Sequence, residues 1–279
     1  MNQTNTRYAF LGVGNMAGAI IGGICSEAGG VSPSDVALFD KDRDKYIPYQ
    51  NRPFFFAASA PEAVAFASVI VLAVKPQNYG ELLTELKEAG VRVDGKIFVS
   101  LAAGIDTDTI GRLLGGNAHI VRTMPNTPML IGQGLTALCR NPLVSDEEYE
   151  IVTSLFRTRG DVVSLPEEEM NKIISVTSSS PAYFYTFFKA MRDGATAQGM
   201  DGNALVSAIC SVAIGSAMMA MQSGKSLEEL TAMVTSRKGT TERALDVFAE
   251  RGLDRIVRDA MIACTRRADE LGEELKKNL

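Results

Sequence analysis

The feature that most constrains this chain is residues 8–24, YAFLGVGNMAGAIIGGI. A short apolar stretch leads into Gly12-Val13-Gly14-Asn15-Met16-Ala17, a GxGxxA pattern that runs on into a helix-compatible segment. Strand, glycine loop and helix in that order specify a βα unit whose turn must come close to something else. Gly12 permits the tight turn, Gly14 lets the backbone approach a pyrophosphate, Ala17 keeps helix and strand together, and the helix N-terminus attracts negative charge. A plain tight turn can carry the same letters, so the weight of the pattern rests on its context.

That context alternates. Strand-like runs at 36–40 (VALFD), 69–74 (VIVLAV), 96–101 (KIFVSL), 119–122, 134–139 and 161–165 are separated by helical stretches at 63–67, 79–89, 106–114 and 145–159. The runs lack strict polar alternation, as strands covered on both faces do. Asp106 is placed to cap one helix, and Ser145 with Glu148 has capping-box spacing. We read an α/β fold, a Rossmann-type doubly wound and mostly parallel sheet followed by an all-helical part. After Pro166 strand-like runs vanish, and helical stretches fill 167–175, 181–199, 201–223, 226–234, 240–250 and 253–277. The expected domains are 1–165, dinucleotide-binding, and 166–279, helical, for substrate binding and dimerisation.

Composition narrows the function. Acidic side chains outnumber basic ones, 33 to 28, for a net charge of −5, which argues against nucleic acid as a partner. Cys25, Cys139, Cys210 and Cys264 are scattered with no CxxC, and His119 is the single histidine. We therefore expect no metal site and a reducing, cytoplasmic setting, with no signal-peptide pattern at the N-terminus. Residues 202–224 carry no charge and are long enough to span a bilayer, but they are rich in Ala, Ser and Gly. We expect a helix buried on all sides in a helical core or subunit interface, and no membrane span.

Several other segments can carry chemistry. Asp40 ends the second strand, where an acid accepts from ribose hydroxyls and favours NAD; Lys41 and Arg43 beside it suit a 2′-phosphate, and DKDRDK also reads as a solvated charged turn. Ala73-Val74-Lys75-Pro76-Gln77 ends the third strand-like run, at the sheet edge where ligands sit; Lys75 can reach the cofactor or the reacting centre there, or snorkel to solvent. Arg122-Thr123-Met124-Pro125-Asn126-Thr127-Pro128 follows another strand, its shape fixed by two prolines. Ser178-Ser179-Ser180-Pro181 and Thr235-Ser236-Arg237-Lys238-Gly239-Thr240-Thr241 open helices whose free N–H groups and hydroxyls suit a carboxylate or ordinary capping. His119 reads as structural.

Taken together, FLGVGNMAGAIIGGI (10–24), LAVKPQN (72–78), SLAAGI (100–105), RTMPNTP (122–128), SSSPAYF (178–184) and VTSRKGTT (234–241) resemble the pyrroline-5-carboxylate reductase family, in the family's order and over nearly the whole chain. The resemblance implies hydride transfer from NADPH or NADH to the C=N bond of 1-pyrroline-5-carboxylate, giving L-proline. It implies a homodimer through the helical domain, in some members a larger ring of dimers. It places Gly12, Gly14, Asn15 and Met16 around the pyrophosphate and Met124 and Pro125 near the nicotinamide, with Asp40, Ala73, Val74, Lys75 and Pro76 also around the cofactor. Thr241 would bond the ring nitrogen, and Ser236 with the N–H groups of Gly239, Thr240 and Thr241 would hold the carboxylate.

The chain also departs from that pattern. Serines 178 and 180 stand where the family has the glycines of SGSGPA, Arg237 and Lys238 replace the Pro and first Gly of SPGGTT, and Ala60 replaces a common Asn. Losing a Pro and a Gly predicts an altered turn. Two other readings share this plan: a non-catalytic NAD(P)-binding regulator, and a β-hydroxyacid dehydrogenase. The second needs a helical-domain lysine, and none follows SSSPA before Lys189.

Overall fold

A computed structural model of the protein describes residues 6–277. The described residues up to Ser179, with those from Cys264 on, form one compact unit, and Ser180–Ala263 forms a second.

The first unit is built on eight strands: β1 (Tyr8–Leu11), β2 (Val36–Phe39), β3 (Phe55–Phe56), β4 (Val69–Leu72), β5 (Ile97–Ser100), β6 (His119–Met124), β7 (Gly134–Arg140) and β8 (Gly160–Ser164). Their order is 3-2-1-4-5-6-7-8, parallel throughout except where β7 runs against β6. Five helices cover the sheet: α1 (Asn15–Ile24), α2 (Ala60–Phe66), α3 (Tyr79–Glu88), α4 (Thr107–Leu114) and α5 (Asp146–Arg157). Neighbouring residues of one strand go to opposite faces. Tyr8, Phe10, Val69 and Val71 pack with α1 and α5, whereas Ala9, Leu11, Ile70 and Leu72 pack with α2, α3 and α4. Both faces are buried, which is why the strands read as unbroken apolar runs. Between β1 and β4 the strand order reverses, and loops on the two sides of that point diverge to leave a ligand crevice at the carboxyl ends.

Both predicted caps form. Asp106 accepts from the Thr109 N–H at 2.7 Å, and Ser145 with Glu148 makes a reciprocal capping box. His119 sits 2.8 Å from the Glu148 carboxylate, a structural contact between β6 and the first turn of α5. β3 was not foreseen, because two residues are too few to show a period. The helix expected at 167–175 is instead a 3₁₀ turn at Glu167–Glu169 and a π-helical turn at Ile174–Ser178. Glu167 is drawn to α4, accepting from the Thr107 N–H at 2.8 Å and its hydroxyl at 2.6 Å.

The helices that follow are α6 (Ser180–Ala197), α7 (Val206–Gln222), α8 (Leu227–Met233), α9 (Thr240–Glu250) and α10 (Leu253–Lys277). Among the described residues no helix is long and apolar enough to cross a membrane. The expectation that α7 is enclosed is not met within one chain. None of its residues is buried, and Val212 and Ile214 are 65% and 61% exposed. A single chain offers too few neighbouring helices to cover that surface.

From Cys264 on, α10 belongs to the first unit, and a backbone-to-backbone approach holds it there. Gly104 has φ +80°, and a Cβ on it would run into the Ala268 carbonyl oxygen; a Cβ on Gly272 would meet the Gly104 carbonyl in turn. Around this contact, Lys276 pairs with Asp106 at 3.0 Å, and Asn171 donates to Asp269 at 2.7 Å. Gly104→Ala should cost about 2–4 kcal/mol through clash and left-handed strain. Chemical denaturation checks the loss, and an unchanged midpoint would show that the contact is dispensable.

Candidate active site

The carboxyl ends of β1, β2 and β4 meet at the glycine loop. Gly12 adopts φ +98°, and a Cβ there would lie 2.7 Å from the Ala73 carbonyl and 2.9 Å from the Val74 nitrogen, so only glycine fits. The Gly12 N–H donates to Phe39 O at 2.8 Å, and the Ala73 N–H to Leu11 O at 2.8 Å. Gly14 caps α1 with no side-chain hydrogen bond, and a Cβ on it would face open space. Bare helix N–H groups beside an open approach are the conditions for holding a phosphate.

Asp40 fixes the next corner. It is only 9% exposed. Oδ2 accepts from the Val13 N–H at 2.7 Å and Oδ1 from the Asp42 N–H at 3.0 Å, while Lys45 Nζ straddles both oxygens at 3.1 and 3.2 Å. Burial pushes the carboxyl up, but the two N–H donors and the Lys45 ammonium outweigh it and hold Asp40 below the ordinary aspartate value. The glycine loop and the end of β2 are thereby locked together. Tyr79 does the same for β4 and β5. Its buried hydroxyl donates to Leu72 O at 2.6 Å, lies 3.1 Å from Ser100 Oγ and accepts from the Leu101 N–H at 3.3 Å.

These corners enclose a cavity of about 400 Å³. Gly12, Gly14, Asp40, Ala73, Val74 and Lys75 line it, so six residues named from the sequence converge on one place. Lys41, Asp42, Lys45, Asn78, Glu81 and Glu85 complete much of the wall. The acids on α3 carried no signal, because their side of that helix looks like any solvated face. Asn15, Met16 and Pro76 follow in the adjoining loop and helix without lining this cavity. Met124 and Pro125 are buried; Met124 packs with Ala137, Cys139, Met170 and Ile174. Asn126 links two motifs far apart in sequence, donating to Thr177 O at 3.1 Å and accepting from the Leu135 N–H at 2.9 Å.

In the second unit, residues 236–239 form a turn in which the Gly239 N–H donates to Ser236 O at 2.9 Å. Lys238, its third residue, has φ +61°, the one left-handed non-glycine among the described residues. This is the type II geometry that favours Pro then Gly at the two central positions. The turn thus has the shape that Pro and Gly favour, with Arg237 and Lys238 in those places, and Lys238 carries the conformational cost. Its N–H donates to Glu242 in the first turn of α9 at 2.5 Å, which pins the turn. Gly239 caps α9 without a side-chain bond, and a Cβ on it would strike Ser236 Oγ. The Ser236 hydroxyl therefore sits against the helix N-terminus, beside Thr240 and Thr241.

The residues fit a dinucleotide: an open glycine approach, bare helix N–H groups and an acid at the end of β2. Among the described residues no cluster of His, Cys, Asp and Glu is arranged to hold a metal.

A family model described as pyrroline-5-carboxylate reductase dimerisation matches residues 167–271, and one described as NADP oxidoreductase coenzyme F420-dependent matches residues 7–104. The chain is 34% identical over 268 residues to the pyrroline-5-carboxylate reductase of Escherichia coli (strain K12), covering 96% of this chain and 98% of that one. It is 34% identical over 275 residues to the Pseudomonas aeruginosa enzyme of the same name, covering 98% and 99%. A pyrroline-5-carboxylate reductase structure from Coxiella burnetii superposes with a TM-score of 0.84 at 30% identity, covering 96% of this chain and 99% of that one. A pyrroline carboxylate reductase from Plasmodium falciparum with NADP bound gives 0.86 at 24%, covering 96% and 98%, a likeness of fold.

Because Asp40 is held below its unfolded value, it contributes stability that is present above the ordinary carboxylate range and is lost as pH falls through the depressed value. Asp40→Asn should cost about 1–3 kcal/mol near pH 7. The gap in melting temperature from wild type should close toward pH 2. A gap constant with pH would mean that the charge contributes nothing.

Proposed function

Because the chain belongs to the pyrroline-5-carboxylate reductase family, we propose that it reduces 1-pyrroline-5-carboxylate to L-proline with NADPH or NADH. The observation that carries this reading is the convergence of Gly12, Gly14, Asp40, Ala73, Val74 and Lys75 on one cavity at the strand-order reversal. Asn15 and Met16 complete the pyrophosphate approach, and Pro76, Met124 and Pro125 shape the nicotinamide end. Bound there, the dinucleotide supplies the hydride.

The remaining work falls to the loop before α9. A cyclic imine accepts hydride readily once its nitrogen is protonated, so no strong protein acid is required. Thr241 holds the ring N–H. The Ser236 hydroxyl and the N–H groups of Gly239, Thr240 and Thr241 hold the carboxylate at the positive end of α9. Lys75 contacts the cofactor or a water network near the reacting centre. Fixing both reactants in position can remove about 7–11 kcal/mol of barrier. The dehydrogenase alternative gains no support, because Lys189 lies on an exposed helix face, paired with Asp193 at 2.7 Å.

Residues 166–279 carry substrate binding and dimerisation in this reading, although those before Ser180 and from Cys264 on belong to the first compact unit, and the uncovered apolar side chains of α7 support a homodimer. A ring of dimers would extend the same assembly. No nucleic acid takes part, in keeping with the net charge of −5. All four cysteines are free, which supports a cytoplasmic location.

Following nicotinamide absorbance with pyrroline-5-carboxylate tests the activity. No turnover despite dinucleotide binding would favour the regulator. Thr241→Ala should lower kcat/KM about tenfold or more while leaving dinucleotide Kd unchanged, since its contact is to the imine alone. Unaltered kinetics would remove Thr241 from the site. Ile214→Asp should weaken the dimer about a hundredfold or more in sedimentation, with helix content preserved. A dimer of wild-type strength would place the interface elsewhere.

A further inference from the structure

The end of the cavity at Asp40 has a polarity of its own, although one matching family model is described as an NADP oxidoreductase and the Plasmodium falciparum structure holds NADP. The Asp40 carboxylate is aimed by two backbone donors, one on each oxygen. A carboxylate offers about four acceptor sites, so two remain. Lys45 Nζ now covers both, bridging Oδ1 and Oδ2 from a side chain that is 42% exposed. The acceptor is fixed and buried; the donor facing it is long, mobile and replaceable. A vicinal diol presents two O–H donors to the same pair of oxygens.

The cations of the segment after β2 are engaged, and Lys75, the remaining cation of the lining, lies beyond the end of β4. Lys41 pairs with Glu81 at 2.7 Å, Lys45 with Asp40, and the Arg43 guanidinium lies 5.4 Å from the Tyr46 ring centre. Asp42 and Glu85 add two further negative charges to the lining. A 2′-phosphate would therefore meet an immovable carboxylate and would need these pairs to break.

We propose that Asp40 reads the adenosine ribose as a free diol and makes this protein prefer NADH to NADPH, with Lys45 as the placeholder that the diol displaces. The proposal rests on the dinucleotide reading above and adds the discriminating residue.

Calorimetric titration of the full-length protein with NADH and with NADPH tests it without turnover. Wild type should bind NADH about tenfold or more tightly than NADPH, the equivalent of one charge-assisted hydrogen bond. Asp40→Asn should narrow that ratio toward one, mainly by weakening NADH. Lys45→Ala, which removes the placeholder from the cavity, should retain the preference for NADH. Tighter binding of NADPH by wild type, an equal loss of both cofactors in Asp40→Asn, or a selective loss of NADPH in Lys45→Ala would each overturn the proposal and leave the reductase reading standing. Binding of neither dinucleotide would overturn both.

Discussion

The structure depends on the close approach of two backbones where β1 and β4 diverge. Gly12 is pressed against the Ala73 carbonyl and the Val74 nitrogen at distances that exclude any side chain. That contact brings the ends of three strands to one point. It turns the chain sharply enough for α1 to begin with no side-chain cap, and at Gly12 and Gly14 it leaves backbone facing the cavity. The Asp40 and Tyr79 hydrogen bonds then fix the loops on either side. A ligand entering this cavity in the proposed reading would meet corners already held by hydrogen bonds, which lowers the ordering cost of binding.

The second unit uses a similar economy at its own loop. Gly239 lets the Ser236 hydroxyl lie against the start of α9, and Glu242 reaches back to hold the preceding turn. Lys238 shows that a turn can survive the loss of its favoured residues. The left-handed conformation is disfavoured for lysine by about 1–2 kcal/mol, which hydrogen bonds on both sides of the turn offset. The geometry of the loop before α9 is thus set by its neighbours rather than by its own most permissive residues.

Much of this was legible in the sequence. The buried strands, the glycine loop and the helix caps are local features, and their residues announce them directly. Asp40 was visible as an acid at a strand end, but the hydrogen bonds to Val13 and Asp42 that aim its carboxylate leave no mark in the sequence. Contacts between distant segments left no trace. Glu167 meeting Thr107, Asn126 meeting Thr177, and Gly104 meeting α10 each depend on tertiary packing. Which of the two expected coverings α7 has is hidden for a related reason. An uncharged helix must be covered, but its sequence does not say whether its own chain or a second copy covers it.

The central claim is that the crossover at Gly12 and the Asp40 corner receive the dinucleotide. Hydrogen exchange of the wild-type protein with and without NADH tests it most directly. The account predicts slowed exchange in peptides covering residues 12–17 and 40–45. Protection confined to other segments, with those two peptides exchanging as before, would contradict it.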